Sequence, residues 1–241
     1  MRSLPFGLLD RWKAPAPKAA KVGWLSEFDY AHRGLHGPGI PENSPSAFAA
    51  AIAKGMGIEC DVQRSLDGQA VVFHDASLDR LTETGGFVRQ YTAEQLGRIA
   101  LNGSTDTIPT LRQMLDQVAG QAPILIEIKS DPKRRSRISA SCLAVMRMLE
   151  GYVGNYAVMS FDPRIVRWFA DNAPLIVRGL VVTEGDDKAL AGMIRRRLSL
   201  WHARPDFLAY DIRDLPSRFA AAQRRRGSPT TPPPARSATS S

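Results

Sequence analysis

Cysteine is nearly absent from this chain: Cys60 and Cys142 are its only two, far apart and without the spacing of metal ligands. A disulfide framework and a thiolate zinc knuckle are thereby excluded, and a reducing compartment fits best. Long apolar runs are missing too. The stretch Leu4 to Leu9 is interrupted by Pro5 and Gly7 and followed by Asp10, Arg11 and Lys13, too short for a secretory core. No later segment approaches the roughly 20 apolar residues that span a bilayer. The expectation is a soluble, cytoplasmic protein. Its N-terminal arm, residues 1–26, offers Phe6, Leu8, Leu9 and Trp12 either for packing on its own domain or for peripheral membrane contact. Acidic residues are outnumbered, 24 against 32 basic, for a formal net charge of +8. Much of the excess lies in Lys133, Arg134, Arg135 and Arg137 and in Arg224, Arg225 and Arg226. A basic balance suits nucleic acid, anionic lipid or phosphate-bearing substrates. Interleaved aromatics and a recognition element are lacking, so no nucleic-acid partner is expected. No internal repeat is visible.

What is present is alternation. From Glu27 onward, short β-prone runs alternate with helix-like stretches, the pattern of a parallel sheet with crossover helices. The expected strands are Phe28–His32, Gly57–Gln63, Ala70–His74, Pro123–Lys129, Tyr156–Phe161, Leu175–Val182 and Phe207–Asp211. Thr92 with Gln95, and Thr110 with Gln113, match the capping box that opens a helix. Asp162 before Pro163 supplies a cap and a first-turn proline, predicting a helix over Pro163–Asn172. The length suits one domain, since single α/β barrels run to about 250 residues. Residues 75–109, with Gly85 and Gly86, exceed what a simple connection needs and read as an insertion after the third strand. Residues 227–241, rich in Pro, Ser and Thr, read as a disordered tail.

Three local patterns point to chemistry. In Ile58-Glu59-Cys60-Asp61-Val62 the two acids sit at i and i+2 and share one face of a strand. Like charges on one side of a buried strand repel and are desolvated, and a cation between them relieves both costs; an exposed edge strand is the alternative. Ile124 to Ile128 is an apolar run in which Glu127 and the following Lys129 repeat the geometry. Charge late in an apolar parallel strand reads as functional, because active sites gather at the carboxyl ends of such strands. The alternative is a strand running out into solvent. His32 and His74 both stand at strand ends, positions that structural histidines also occupy. Three carboxylates suit Ca²⁺ or Mg²⁺ better than zinc. Arg33 and Lys129 suit phosphate oxygens, and two imidazoles suit a general acid and base. Together these residues describe cleavage of a phosphate ester, a small-molecule substrate.

The stretch from Ala31-His32-Arg33-Gly34 through Pro41-Glu42-Asn43 to Phe48 resembles the opening signature of the glycerophosphodiester phosphodiesterase family. The resemblance continues in Glu59-Cys60-Asp61, in Val72-Phe73-His74-Asp75 with Leu78-Asp79-Arg80-Leu81-Thr82, and in Glu127-Ile128-Lys129. It implies a TIM-type (β/α)8 barrel over residues 27–226 and hydrolysis of glycerophosphodiesters to glycerol 3-phosphate and an alcohol. It also implies roles: Glu59, Asp61 and Glu127 as ligands of a divalent cation, Ca²⁺ or Mg²⁺; His32 and His74 as the acid–base pair; Arg33 and Lys129 on the phosphate; Glu42 supporting the mouth. One departure is visible. Family members supply a further strand with a Trp-Thr-Val type motif after the helix through Arg226, whereas here Gly227-Ser228-Pro229 leads into the tail, so the eighth βα unit is expected to be lacking. Two other readings accompany the first: a lysophospholipid-directed phosphodiesterase at a membrane surface, and an inactive truncated family member.

Overall fold

A computed structural model describes residues 4–130, 138–185, 190–210 and 214–231. The basic run Lys133 to Arg137, Asp211 and residues 232–241 of the expected tail lie outside the described residues. The contacts group into two compact units, Phe28–Tyr156 and a second made of Met1–Glu27 with Ala157–Pro233.

In the unit Phe28–Tyr156, three strands run parallel: β1 (Tyr30–Ala31), β2 (Gly57–Arg64) and β4 (Ile124–Ile128), with β2 between the other two. Ile58, Cys60, Ile124, Ile126 and their neighbours are buried, as expected of strands covered on both faces. The strand β3 (Ala70–Val72) differs from the expectation of a fourth parallel member. It pairs antiparallel with β2, Val62 opposite Val72 and Arg64 opposite Ala70. A parallel return needs a crossover of about a dozen residues or more; the link Ser65–Gln69 is a tight turn, closed by Ser65 N–H to Gln69 O at 3.0 Å and helped by Gly68 at φ 86°.

Helix α3 (Pro45–Ala53) is capped by the Ser44 hydroxyl, which accepts from Ala47 N–H at 3.1 Å. The expected insertion has its own core, Leu78, Val88, Ala93, Leu96, Leu101 and Ile108 packed with Val71 and Phe73. Its short helix α4 (Ala93–Leu96) and the following α5 (Leu111–Val118) both begin with the predicted capping boxes. Helix α6 (Ile138–Leu149) completes this unit.

The second unit holds four parallel strands in sequence order, β5 (Tyr156–Ser160), β6 (Val177–Val182), β7 (Phe207–Tyr210) and β8 (Thr230–Thr231). Gly179 on β6 is required by packing, since a Cβ there would lie 2.3 Å from the Phe207 ring. Helix α7 spans Pro163–Asn172 as predicted, with the Asp162 carboxylate accepting from Arg164 N–H at 3.0 Å. Helices α8 (Leu190–Ala203) and α9 (Arg218–Arg225) follow. The two-residue β8 begins where a disordered tail was expected. It forms because Leu208 N–H reaches Pro229 O at 3.0 Å, and a proline that cannot donate can still accept.

The N-terminal arm forms helices α1 (Leu4–Lys13) and α2 (Ala19–Val22), and packs within this unit. Asp10 is its anchor. Its buried carboxylate accepts from Trp201 Nε1 at 2.7 Å, Arg197 Nη1 at 3.0 Å and Gln223 Nε2 at 3.3 Å, and lies 3.3 Å from Arg226 Nη1. Among the described residues no helix is long and apolar enough to cross a membrane. Removing one member of such a buried network leaves its partners uncompensated. Asp10→Ala is therefore expected to lower unfolding free energy by about 3 kcal/mol, read as a lower urea midpoint, whereas Trp12→Ala, at a site 73% exposed, should leave the midpoint nearly unchanged.

Candidate functional site

Every residue singled out for chemistry falls in the unit Phe28–Tyr156. The parallel register places Asp61 of β2 directly beside Glu127 of β4, and the i,i+2 spacing puts Glu59 on the same face. Carboxylate oxygens of Glu59, Asp61 and Glu127 lie within 4.8 Å of one another. All three are buried, Glu59 and Asp61 to 1% exposure, which removes the exposed-edge alternative.

Charge around the triad is unevenly balanced. Lys129 Nζ lies 2.7 Å from Asp61 Oδ1 and 2.5 Å from Glu127 Oε1. Arg33 Nε lies 3.3 Å from Asp61 Oδ2 without hydrogen-bond geometry. Glu59 receives a backbone bond, from Arg33 N–H at 2.9 Å. Burial, then repulsion from Asp61 and Glu127, pushes the Glu59 carboxyl well above the usual range. Burial raises Glu127 as well, against the pull of Lys129. For Asp61 burial is outweighed by Lys129, His74 and Arg33, and its pKa is lowered. Burial would lower Lys129, but Asp61 and Glu127 hold its pKa up. Three converging, underneutralised oxygen donors fit a hard divalent cation and lack the nitrogen and sulfur that zinc prefers.

The loop after β1 makes the mouth. Arg33 has φ 57°, a left-handed conformation rare for a side chain of its size, and Gly34 follows at φ 76°. A Cβ on Gly34 would lie 2.7 Å from that of Ala47, so His32-Arg33-Gly34 needs its glycine. The turn lets Arg33 N–H face Glu59 while Arg33 Nη1 donates to Glu42 Oε1 at 2.8 Å. Burial, then Arg33, pulls the His32 imidazole down to about 4. His74 is delivered by the β2–β3 hairpin, not by a parallel strand: Phe73 N–H bonds Asp61 O at 2.9 Å, and Gln63 Nε2 bonds Phe73 O at 2.9 Å.

Three residues without an assigned role complete the site. Asn43, buried at φ 56°, reads Asp61 twice: its Nδ2 donates to Oδ2 at 2.9 Å and its Oδ1 accepts the backbone N–H at 3.1 Å. Asp75 Oδ1 lies 2.7 Å from His74 Nδ1. Burial would raise Asp75, but Arg80 and His74 hold it low, hence ionised; an ionised carboxylate can only accept, so it fixes the proton on His74 Nδ1 and leaves Nε2 for chemistry. Arg80 bonds both Asp75 and Glu42. Burial is likewise outweighed at Glu42, whose pKa the two arginines lower. All three stand inside the quoted motifs, in Pro41-Glu42-Asn43, His74-Asp75 and Leu78 to Thr82; the signal was there, the pairing was not.

The family profile of the glycerophosphoryl diester phosphodiesterase family matches residues 32–228. The chain belongs to this family. A glycerophosphodiester phosphodiesterase of Bacillus altitudinis is 39% identical over 107 residues, 42% of this chain and 43% of that protein. YhdW of Bacillus subtilis is 33% identical over 160 residues, 63% of this chain and 64% of that protein. The chain thus spans under two thirds of the length of these curated relatives. A phosphodiesterase of Oleispira antarctica, solved in complex with the product sn-glycerol-3-phosphate, is 22% identical with a TM-score of 0.72, over 83% of this chain and 81% of that one. A glycerophosphodiester phosphodiesterase of Thermotoga maritima is 25% identical with a TM-score of 0.65, over 83% and 82%. The α/β class and (β/α)8-type fold expected from the sequence, short of a full set of βα units, are those the family's structures share with this chain.

A carboxyl raised by folding takes up a proton that the unfolded chain has released, so stability is present below the unfolded pKa and falls as pH rises above it. Metal-free protein should therefore lose stability above pH 4.5, the ordinary value for Glu59. In chelator, Glu59→Gln should show a smaller loss between pH 5 and 8. Mg²⁺ or Ca²⁺ should raise the melting midpoint of the parent chain and not that of the variant.

Proposed function

We propose that the chain hydrolyses glycerophosphodiesters to glycerol 3-phosphate and an alcohol, with a divalent cation held by Glu59, Asp61 and Glu127. The supporting observation is the buried, underneutralised carboxylate triad flanked by two imidazoles and two cations in one unit. Bound there, Ca²⁺ or Mg²⁺ would supply positive charge to a phosphoryl oxygen as negative charge develops. Arg33 and Lys129 would hold the remaining phosphate oxygens, Arg33 braced by Glu42. The two histidines have different surroundings, and their roles follow. His32, its pKa drawn down to about 4, is neutral at pH 7 and can take the proton of the attacking water or substrate hydroxyl. His74, its Nδ1–H turned to Asp75, can give a proton from Nε2 to the leaving alcohol when its imidazole is doubly protonated, and regains that proton from solvent.

A nitrophenolate leaving group needs no proton, and that separates the roles. On glycerophosphocholine with Mg²⁺ or Ca²⁺, His32→Ala and His74→Ala should each lose about 10²- to 10⁴-fold in kcat. On a nitrophenyl phosphodiester, His74→Ala should recover much of its deficit and His32→Ala should not. Turnover that persists in chelator, or survives His32→Ala, would sink the proposal.

One observation favours a second reading, in which lysophospholipid is cleaved at a membrane. Leu9 and Trp12 of α1 and Leu190, Ile194 and Leu198 of α8 are exposed, and Asp10 ties the two helices together. Such a surface, with Arg11, Lys13 and Arg195 nearby in sequence, suits an anionic interface. If this reading holds, the chain floats with phosphatidylglycerol vesicles and Trp12→Ala with Leu198→Ser does not; absence of flotation returns the substrate to water-soluble diesters.

A further inference from the structure

Arg80 stands outside the metal, histidine and phosphate-binding sets, yet its guanidinium faces two of the carboxylates that serve them. Nη2 donates to Glu42 Oε1 at 2.6 Å and Nη1 to Glu42 Oε2 at 3.1 Å, while Nε donates to Asp75 Oδ2 at 2.5 Å. Each carboxylate makes its other contact with a site residue: Asp75 Oδ1 with His74 Nδ1 at 2.7 Å, and Glu42 Oε1 with Arg33 Nη1 at 2.8 Å. The path His74, Asp75, Arg80, Glu42, Arg33 is thus continuous. It joins the segment after β3 to the loop after β1. We propose that Arg80 is a positioning residue, setting the orientation of His74 and its spacing from Arg33 through two carboxylates without touching substrate.

The chemistry of the side chain supports this. A guanidinium presents its donors in a rigid plane and serves two carboxylates in fixed directions, which the single flexible ammonium of lysine does not. Stability alone is a poor reason for the arrangement. The Arg80 side chain is 47% exposed, and ion pairs at such exposure contribute little to folding. What the pairs restrict is geometry, and an imidazole bound on one side by a fixed carboxylate has one tautomer and one ring orientation.

The kinetic consequence rests on the phosphodiesterase reading, but the geometry can be measured without turnover. The chain with ¹⁵N-labelled histidine is compared with Arg80→Ala and Arg80→Lys, His74 being assigned through His74→Gln. The expected result is a His74 Nδ1–H that exchanges with solvent at least tenfold faster in both variants, with thermal midpoints near that of the parent. On glycerophosphocholine with Mg²⁺ or Ca²⁺, kcat should fall roughly ten- to hundredfold, the size seen when groups that orient a site residue are removed. Guanidinium ion should restore part of the loss in Arg80→Ala, and Arg80→Lys should remain impaired. Unchanged His74 exchange in both variants overturns the proposal, as does an unchanged kcat. If the parent chain shows no turnover while His74 exchange still depends on Arg80, the positioning role stands and the activity reading fails.

Discussion

Three carboxylates share one buried face, and the rest of the site is arranged around the repulsion this creates. Glu59 and Asp61 are neighbours along β2; Asp61 and Glu127 are neighbours across the β2–β4 pair. Out of water their charges are costly, and one ammonium, Lys129, with a single flanking guanidinium, offsets only part of that cost. Asn43 spends both ends of its amide on Asp61. Arg33 adopts a left-handed backbone that turns its N–H toward Glu59. Strain and buried polar bonds concentrate where the three carboxylates converge, as expected of a place built to receive a cation.

The two histidines show how one unit gives the same side chain two environments. His32 belongs to β1 and its loop, where burial and the adjacent Arg33 disfavour the protonated ring. His74 arrives from the hairpin and rests on an ionised Asp75. Groups whose surroundings differ in this way are suited to opposite proton-transfer roles. The lobe behind His74, with its own core of Leu78, Val88, Leu96 and Ile108, anchors the segment that delivers it; the insertion is part of the site's support.

Support of a different kind governs the second unit. There the N-terminal arm is held by the buried Asp10 network, and Thr230–Thr231 adds a short parallel strand beside β7.

Much of this was legible in the residues themselves, because the relevant information is local. The period-2 placement of Glu59 and Asp61, the apolar run ending at Glu127, the capping boxes at Thr92 and Thr110, and the helix opened by Asp162-Pro163 depend on neighbours within a turn or a strand. Motif spacing likewise singled out His32, Arg33, Glu42, His74 and Lys129. Even the direction of β3 is marked locally: the link between Gly57–Gln63 and Ala70–His74 is too short for a parallel crossover and carries the hairpin signal Asp67-Gly68, whereas strand periodicity alone has no mark of direction. Tertiary structure decided what local periodicity does not encode. Thr230 and Thr231 are polar and follow a proline, and only an open edge on β7 made them a strand. The bond from Asn43 to Asp61 and the bridge through Arg80 join residues distant in sequence, and their partners exist only once the chain has brought separate segments within 3 Å or so, the reach of a hydrogen bond.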